Sequence, residues 1–213
     1  MDSRLYLITG TDFLKNRSLL DTVAAAIEGG ADCVQLREKN ASSRQLLQMA
    51  IDLRKLTAKY NVPLIVNDRV DIALAADADG VHLGQDDLPI DIARKMLGPN
   101  KIIGISTHNV EEAIEAERAG ASYIGVGPFK PTSTKTDTQP VVGLAGIRQI
   151  RQAVSLPIVA IGGIQQPDVS DIIQSGANGV AVISAIMAAD DVLAAASGIR
   201  AAVDRVRGGA AWN

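Results

Sequence analysis

Eight short runs rich in β-branched residues recur along this chain, each followed by a longer stretch with apolar residues three or four apart. The runs are LYLITG (5–10), CVQLRE (33–38), LIVND (64–68), GVHLG (80–84), IIGIST (102–107), YIGVG (123–127), IVAIGG (158–163) and GVAVIS (179–184). The stretches between them predict helices over about 17–29, 43–59, 69–77, 90–97, 109–119, 143–153, 167–175 and 187–206. Apolar strands alternating with helices are the pattern of a parallel sheet covered by helices. Eight equal units of this kind predict an α/β fold, the closed (β/α)8 TIM barrel. An open doubly wound sheet also alternates strand and helix, but it seldom uses eight equal parallel strands that end in the chain's last helix.

A chain of 213 residues, 47% of them hydrophobic, can bury one large core, so residues 1–213 are read as a single catalytic domain. GGADC, AGASY and SGANG place glycine between a helix and strands two, six and eight, which marks Gly29, Gly30, Gly120 and Gly176 as helix stops in stacked modules. A net charge of −3 and an aromatic share of 3% argue against nucleic acid or a membrane surface as partner, since those select for a broad positive field and stacking rings. Any phosphate ligand must then be held by a local basic cluster. Cys33, the single cysteine, excludes an internal disulfide and a multi-cysteine zinc site. No apolar run approaches the roughly 18 residues of a membrane span, and the first residues lack a signal-peptide pattern. A cytoplasmic protein is expected, and the alanine-rich helices are compatible with a monomer or a homo-oligomer.

In such a barrel the active site lies at the C-terminal ends of the strands, so polar residues there carry the functional signal. In strand two Gln35, Arg37 and Lys39 share one face and Val34 and Leu36 the other. Two cations at a barrel mouth cost desolvation unless something negative meets them. That partner is either an anionic ligand or an internal carboxylate, Asp68 or Glu38. Asn67, Asp68 and Arg69 end strand three; His82, Gln85, Asp86 and Asp87 follow strand four; Ser106, Thr107 and His108 follow strand five. Asp68 and Asp87 come from neighbouring strands and offer the hard oxygens that hold magnesium against a diphosphate. Capping of the helix over 90–97 is the alternative role for Asp87.

The connection GPFKPTSTKTDTQPVVG (127–143) is pinned by three prolines and offers Thr132, Ser133, Thr134 and Lys135 as phosphate-compatible donors. A merely solvated loop is the alternative. Gly162 and Gly163 after strand seven, with Ser184 at a helix start after strand eight, have the placement of a barrel phosphate site. His82 and His108 have no nucleophile beside them in sequence and read as structural or supporting residues. Tyr6 and Tyr123 read as core, and Trp212 as part of the tail.

The blocks QLREK, VNDR, GVHLGQDDLP, GIST, GPFKPTSTK, AIGGI and AVIS follow one another in such order and spacing that the sequence, from about Leu5 to Ala185, resembles the thiamine phosphate synthase (thiamine phosphate pyrophosphorylase) family. The resemblance implies a barrel transferase of thiamine biosynthesis that joins two small-molecule substrates. One is a pyrimidine carrying a diphosphooxymethyl group; the other is a thiazole phosphate, either the carboxylated tautomer or hydroxyethylthiazole phosphate. Thiamine phosphate and diphosphate are the implied products. Carried over by position, Gln35, Leu36, Arg37, Glu38, Lys39, Asn67, Ser106 and Lys135 would hold the pyrimidine diphosphate. Thr132, Ser133, Thr134, Gly163, Ile183 and Ser184 would hold the thiazole phosphate, and Asp68 and Asp87 would bind Mg2+.

The mechanism implied is dissociative, with cationic groups and Mg2+ neutralising the departing diphosphate. Two positions depart from the family pattern: LITGTD in strand one, and Lys130 where an apolar or aromatic residue is usual. A thiazole tautomerase of the same barrel family, or a non-catalytic phosphate-binding barrel, are the rival readings. Neither has need of Arg37, Lys39, Asp68, Asp87 and Lys135 together.

Overall fold

Short Val, Ile and Leu runs too brief for helices form the strands, and caps set where the helices begin. The computed structural model describes residues 2–131 and 140–209. Its strands are β1 (Leu5–Ile8), β2 (Cys33–Leu36), β3 (Leu64–Asn67), β4 (Gly80–Leu83), β5 (Ile102–Thr107), β6 (Tyr123–Val126), β7 (Ile158–Ile161) and β8 (Gly179–Val182). They pair in parallel and in chain order around a closed barrel, with β1 against β8. The helices are α1 (Leu19–Glu28), α2 (Ser43–Lys59), α3 (Val70–Ala75), α4 (Ile90–Leu97), α5 (Val110–Arg118), α6 (Gly143–Ala153), α7 (Val169–Gln174), α8 (Ser184–Met187) and α9 (Val192–Gly209). Ser18, Ser42 and Asn109 each accept a backbone N–H of the first turn and so fix the starts of α1, α2 and α5.

The single helix expected over 187–206 is two. α8 begins at Ser184 directly after β8, and Asp191 accepts from the Ala194 N–H to start α9. A charged pair, Asp190 and Asp191, interrupts the apolar period there.

Alternation along the strands separates two cores. Leu5, Leu7, Val34, Leu36, Val66 and their equivalents point outward and are buried beneath the helices. Tyr6, Cys33, Ile65, Tyr123, Val159 and Ala181 point inward and pack with one another. The inward positions of β5 and β6 include glycines because rings lie across them. A Cβ on Gly104 would fall 2.1 Å from Cζ of Tyr123, and one on Gly125 would meet the His82 ring at 3.0 Å.

The helix stops form a fourfold repeat. Gly30, Gly120 and Gly176 have φ of +107°, +82° and +105°, and Asp77 takes the same left-handed role before β4 with φ +49°. Gly29 does not: its φ is −76°, and it is small because a Cβ there would touch Ala196 at 2.6 Å. An alanine follows each left-handed residue, and then a polar residue whose side chain reaches back to the first turn of the preceding strand. Asp32 accepts from Leu5 N–H at 3.2 Å, Asp79 from Leu64 at 2.8 Å, Ser122 from Ile103 at 3.1 Å and Asn178 from Ile158 at 2.9 Å. Each bond ties two successive strands at the end remote from the polar rim.

Asp32 carries most, accepting also from Ser3 Oγ at 2.6 Å and pairing with Arg200 at 3.2 Å. Asp32→Ala is expected to lower the unfolding free energy by about 2 kcal/mol, the scale of leaving partly buried donors unpaired. It should appear as a lower urea midpoint with an unchanged slope. An unchanged midpoint would show that the tie is idle.

Candidate active site

The C-terminal rim of the barrel is built by the ends of β2 to β5 and the loops after β1 and β8. Arg37 follows the last residue of β2, and its backbone N–H donates to Thr9 Oγ1 at 3.0 Å. Its Nε is buried and has no hydrogen-bond partner. Arg37 and Ile183 line both cavities of this region. One, of about 380 Å³, lies between the β1 and β2 loops and is also lined by Thr11, Glu38 and Lys39; the other, small and inside the barrel, is lined by Tyr6, Gln35, His82 and Tyr123. A half-buried cation whose Nε is unpartnered, with no carboxylate against it among the described residues, is a seat for an anion at the meeting point of two cavities.

The neighbours of Arg37 divide into those that face the cavities and those that hold the loops. Glu38 holds a loop: its carboxylate accepts from Thr11 Oγ1 at 2.6 Å, Thr11 N–H at 3.1 Å and Thr9 Oγ1 at 3.2 Å. Leu36 is fully buried under the helices on the outer face, so only its backbone is available to the rim. The internal pairing weighed for the two cations holds for Lys39, whose Nζ lies 3.2 Å from Asp68 Oδ2, but not for Arg37.

Asp68 stands just beyond β3 with φ +61°, a left-handed turn that swings its carboxyl toward the β4 loop. Asp87 does not cap α4: the residue before that helix is Pro89, and the Asp87 carboxylate instead accepts from Gly84 N–H at 2.6 Å. The two carboxyls therefore meet. Burial and the Asp87 carboxyl hold Asp68 above its ordinary pKa, and the Lys39 ammonium offsets part of that rise. Asn67 closes β3 beside His82 of β4.

Ser106 near the end of β5 places its Oγ 3.0 Å from His82 Nε2, and its carbonyl accepts from Gln85 Nε2 at 2.6 Å. Below it a buried polar chain runs through His82 Nδ1 to Tyr123 Oη (2.9 Å), to Tyr6 Oη (2.7 Å) and to Gln35 Nε2 (2.9 Å). Reading Tyr6 and Tyr123 as plain core missed this chain. The signal available was two tyrosines and a histidine at inward strand positions, where each polar tip needs a partner. His108 instead binds Glu112 one turn on, through Nδ1 at 2.9 Å, and shapes the start of α5.

On the far side of the rim, Gly162 and Gly163 have φ of +103° and +69°. What approaches them closely is the loop after β6: Phe129 N–H donates to Ile161 O at 2.8 Å, and Lys130 N–H to Gly162 O at 2.9 Å. Lys130 also pairs with Asp168 at 2.6 Å, which fastens that loop to the turn before α7. Ile183 and Ser184 form the junction of β8 and α8. Thr132, Ser133, Thr134 and Lys135 lie outside the described residues, as does Trp212.

A closed parallel barrel with a charged rim at the strands' C-terminal ends defines an enzyme of the (β/α)8 class. The thiamine monophosphate synthase family profile matches residues 5–186, and the chain belongs to that family. It is 55% identical over 203 residues to the thiamine-phosphate synthase of Chloroflexus aurantiacus, covering 95% of this chain and 94% of the relative. The thiamine-phosphate synthase of Shouchella clausii is 51% identical, with 94% and 96% covered. Among solved structures, the thiamine phosphate pyrophosphorylase of Pyrococcus furiosus superposes with a TM-score of 0.88 at 43% identity, covering 95% of this chain and 96% of its own. Among the described residues, no helix is long and apolar enough to cross a membrane.

Proposed function

We propose that this chain makes thiamine phosphate by transferring a pyrimidinylmethyl group from its diphosphate to the nitrogen of a thiazole phosphate. The observation that carries this reading is Arg37, whose buried and unpartnered Nε sits where the two cavities meet. The bond between the methylene carbon and the diphosphate oxygen breaks with its electron pair on oxygen. The thiazole nitrogen then supplies the pair for the new C–N bond, and the carboxylated thiazole also loses carbon dioxide. Neither step needs a side-chain nucleophile, so the residues act on charge that grows as the diphosphate departs.

In this reading Arg37 meets the diphosphate from below, Lys39 and Asn67 from the β2 and β3 ends, and Ser106 from β5. Gln35, with Nε2 spent on Tyr6, keeps its carbonyl oxygen as an acceptor for the pyrimidine. Glu38 acts by holding the β1 loop against β2, and Leu36 by its backbone. Lys135 would add a cation from the loop after β6, with Thr132, Ser133 and Thr134 at the thiazole phosphate beside Gly163, Ile183 and Ser184.

The Asp68 and Asp87 pair fits Mg2+. Two half-buried carboxyls in contact, one of them held above its ordinary pKa by burial and by the other, gain from a divalent cation, and among the described residues no His, Cys, Asp or Glu joins them to make a set of three. Mg2+ commonly takes one or two carboxylates and completes its shell with water and substrate phosphate. When bound, it would neutralise charge on the leaving diphosphate. Lys39, already against Asp68, is placed to bridge that carboxylate and the same anion.

The test is to mix the purified protein with both precursors, with and without a chelator, and to look for thiamine phosphate by mass. Product should appear only when Mg2+ is present. Product that is indifferent to the chelator would remove the metal role, and no product under any condition would remove the reading. Asp87→Asn is expected to raise the Mg2+ concentration for half-maximal rate at least tenfold, read from a magnesium titration of the steady-state rate.

A further inference from the structure

The polar chain inside the barrel has a direction, and that direction decides what Ser106 offers at the rim. Gln35, Tyr6, Tyr123 and His82 are 2%, 1%, 0% and 8% exposed, so water does not satisfy their polar tips and the hydrogens between them follow from which atoms can donate. The Gln35 amide nitrogen can only donate, and it faces Tyr6 Oη at 2.9 Å. The Tyr6 hydrogen then passes to Tyr123 Oη, and the Tyr123 hydrogen to His82 Nδ1.

Acid strength supports the same order, because a phenol donates well and a neutral imidazole nitrogen is the best acceptor in the chain. Burial holds both phenols well above their ordinary pKa, so both keep their hydrogens. The reverse direction would need the Gln35 amide turned over and an imidazole N–H given to a phenol oxygen, a weaker pairing.

We propose that Tyr123, backed by Tyr6, is a positioning residue that holds His82 as the Nε2–H tautomer, so that Ser106 accepts from His82 and turns its own O–H toward the rim as a donor. A diphosphate oxygen at neutral pH only accepts, so a serine fixed as a donor suits it and a serine fixed as an acceptor does not. This rests on the reading of Ser106 as a diphosphate contact; the tautomer itself does not.

Nitrogen-15 labelled protein without substrates gives the tautomer from long-range proton–nitrogen correlations of the imidazole. The chain has two histidines, so a His108→Gln variant identifies the His82 signal. The expected result is a protonated Nε2 and a bare Nδ1; a protonated Nδ1 overturns the proposal. Tyr123→Phe removes the donor to Nδ1 and is expected to mix the two tautomers and to lower kcat about fivefold to tenfold at unchanged KM, the worth of one hydrogen bond. Wild-type kcat in that variant overturns the positioning role. Ser106→Ala is expected to leave the tautomer unchanged, because Tyr123 sets it. If Tyr123→Phe does not fold, the wild-type spectrum decides alone. A wild-type protein that makes no thiamine phosphate would sink the proposed function and leave the tautomer result standing.

Discussion

Arg37→Ala is expected to lower kcat by about 10²-fold or more with both substrates saturating, while the barrel stays folded. The scale is that of losing one preorganised group that stabilises charge developing in the transition state. Arg37 is singled out from the other rim cations by its surroundings. Lys39 is 59% exposed and already shares Asp68, so water and that carboxylate screen it; its removal should cost several-fold less. Arg37 has a buried Nε with no partner, so removing the side chain strands nothing at that atom. Among the described residues no side-chain hydrogen bond of Arg37 is lost, and a circular-dichroism melt should show little change. Arg37→Lys should recover only part of the rate, because a lysine brings a point charge without the planar fork. A full-rate Arg37→Ala enzyme would place the departing anion elsewhere.

Gly104→Ala is expected to cost about 3 kcal/mol or more of stability and to lower the melting temperature by about 10 °C. The added methyl would lie 2.1 Å from Cζ and 2.4 Å from the hydroxyl oxygen of Tyr123, a ring that is fully buried and bonded to Tyr6 and His82. The ring cannot swing away without breaking the polar chain, so strain and lost hydrogen bonds add. Gly120→Ala is the comparison. No atom lies within 4 Å of its added methyl, and only the left-handed φ of +82° opposes it, a cost of about 1 kcal/mol. Equal melting temperatures for the two variants would contradict the packing argument.

The barrel was legible because buried parallel strands and their covering helices differ in length and period, and eight alternations leave few topologies. Gly30, Gly120 and Gly176 announced three of the four helix stops; the fourth was hidden because Asp77 does the work of a glycine with help from Lys101 at 2.6 Å. The rim was legible in outline, since charge at a strand end stands out against an apolar run. Which charges face a ligand was not. Glu38 and Arg37 are adjacent in sequence, yet one is consumed by threonines of the β1 loop and the other keeps an Nε without a partner. The capping role weighed for Asp87 failed because a proline intervenes before α4 and the carboxyl folds back on Gly84. The pairing within the tyrosine–histidine chain was harder to read than its inward polar tips, because its members lie on four strands and only barrel closure brings them together.

The four side-chain ties at the closed end of the barrel change how the open end can vary. Asp32, Asp79, Ser122 and Asn178 each lock one pair of successive strands, and the adjoining seams after β2 and β6 are held by backbone bonds to Pro63 and Pro157, at 3.1 and 3.0 Å. Anchorage is thus concentrated in a floor at the far end of the strands from the polar rim. A mouth supported in this way tolerates two carboxyls in contact and a guanidinium with an unpartnered Nε without unravelling. It also leaves the loops above free to be rewritten for a different anion while the foundation stays the same.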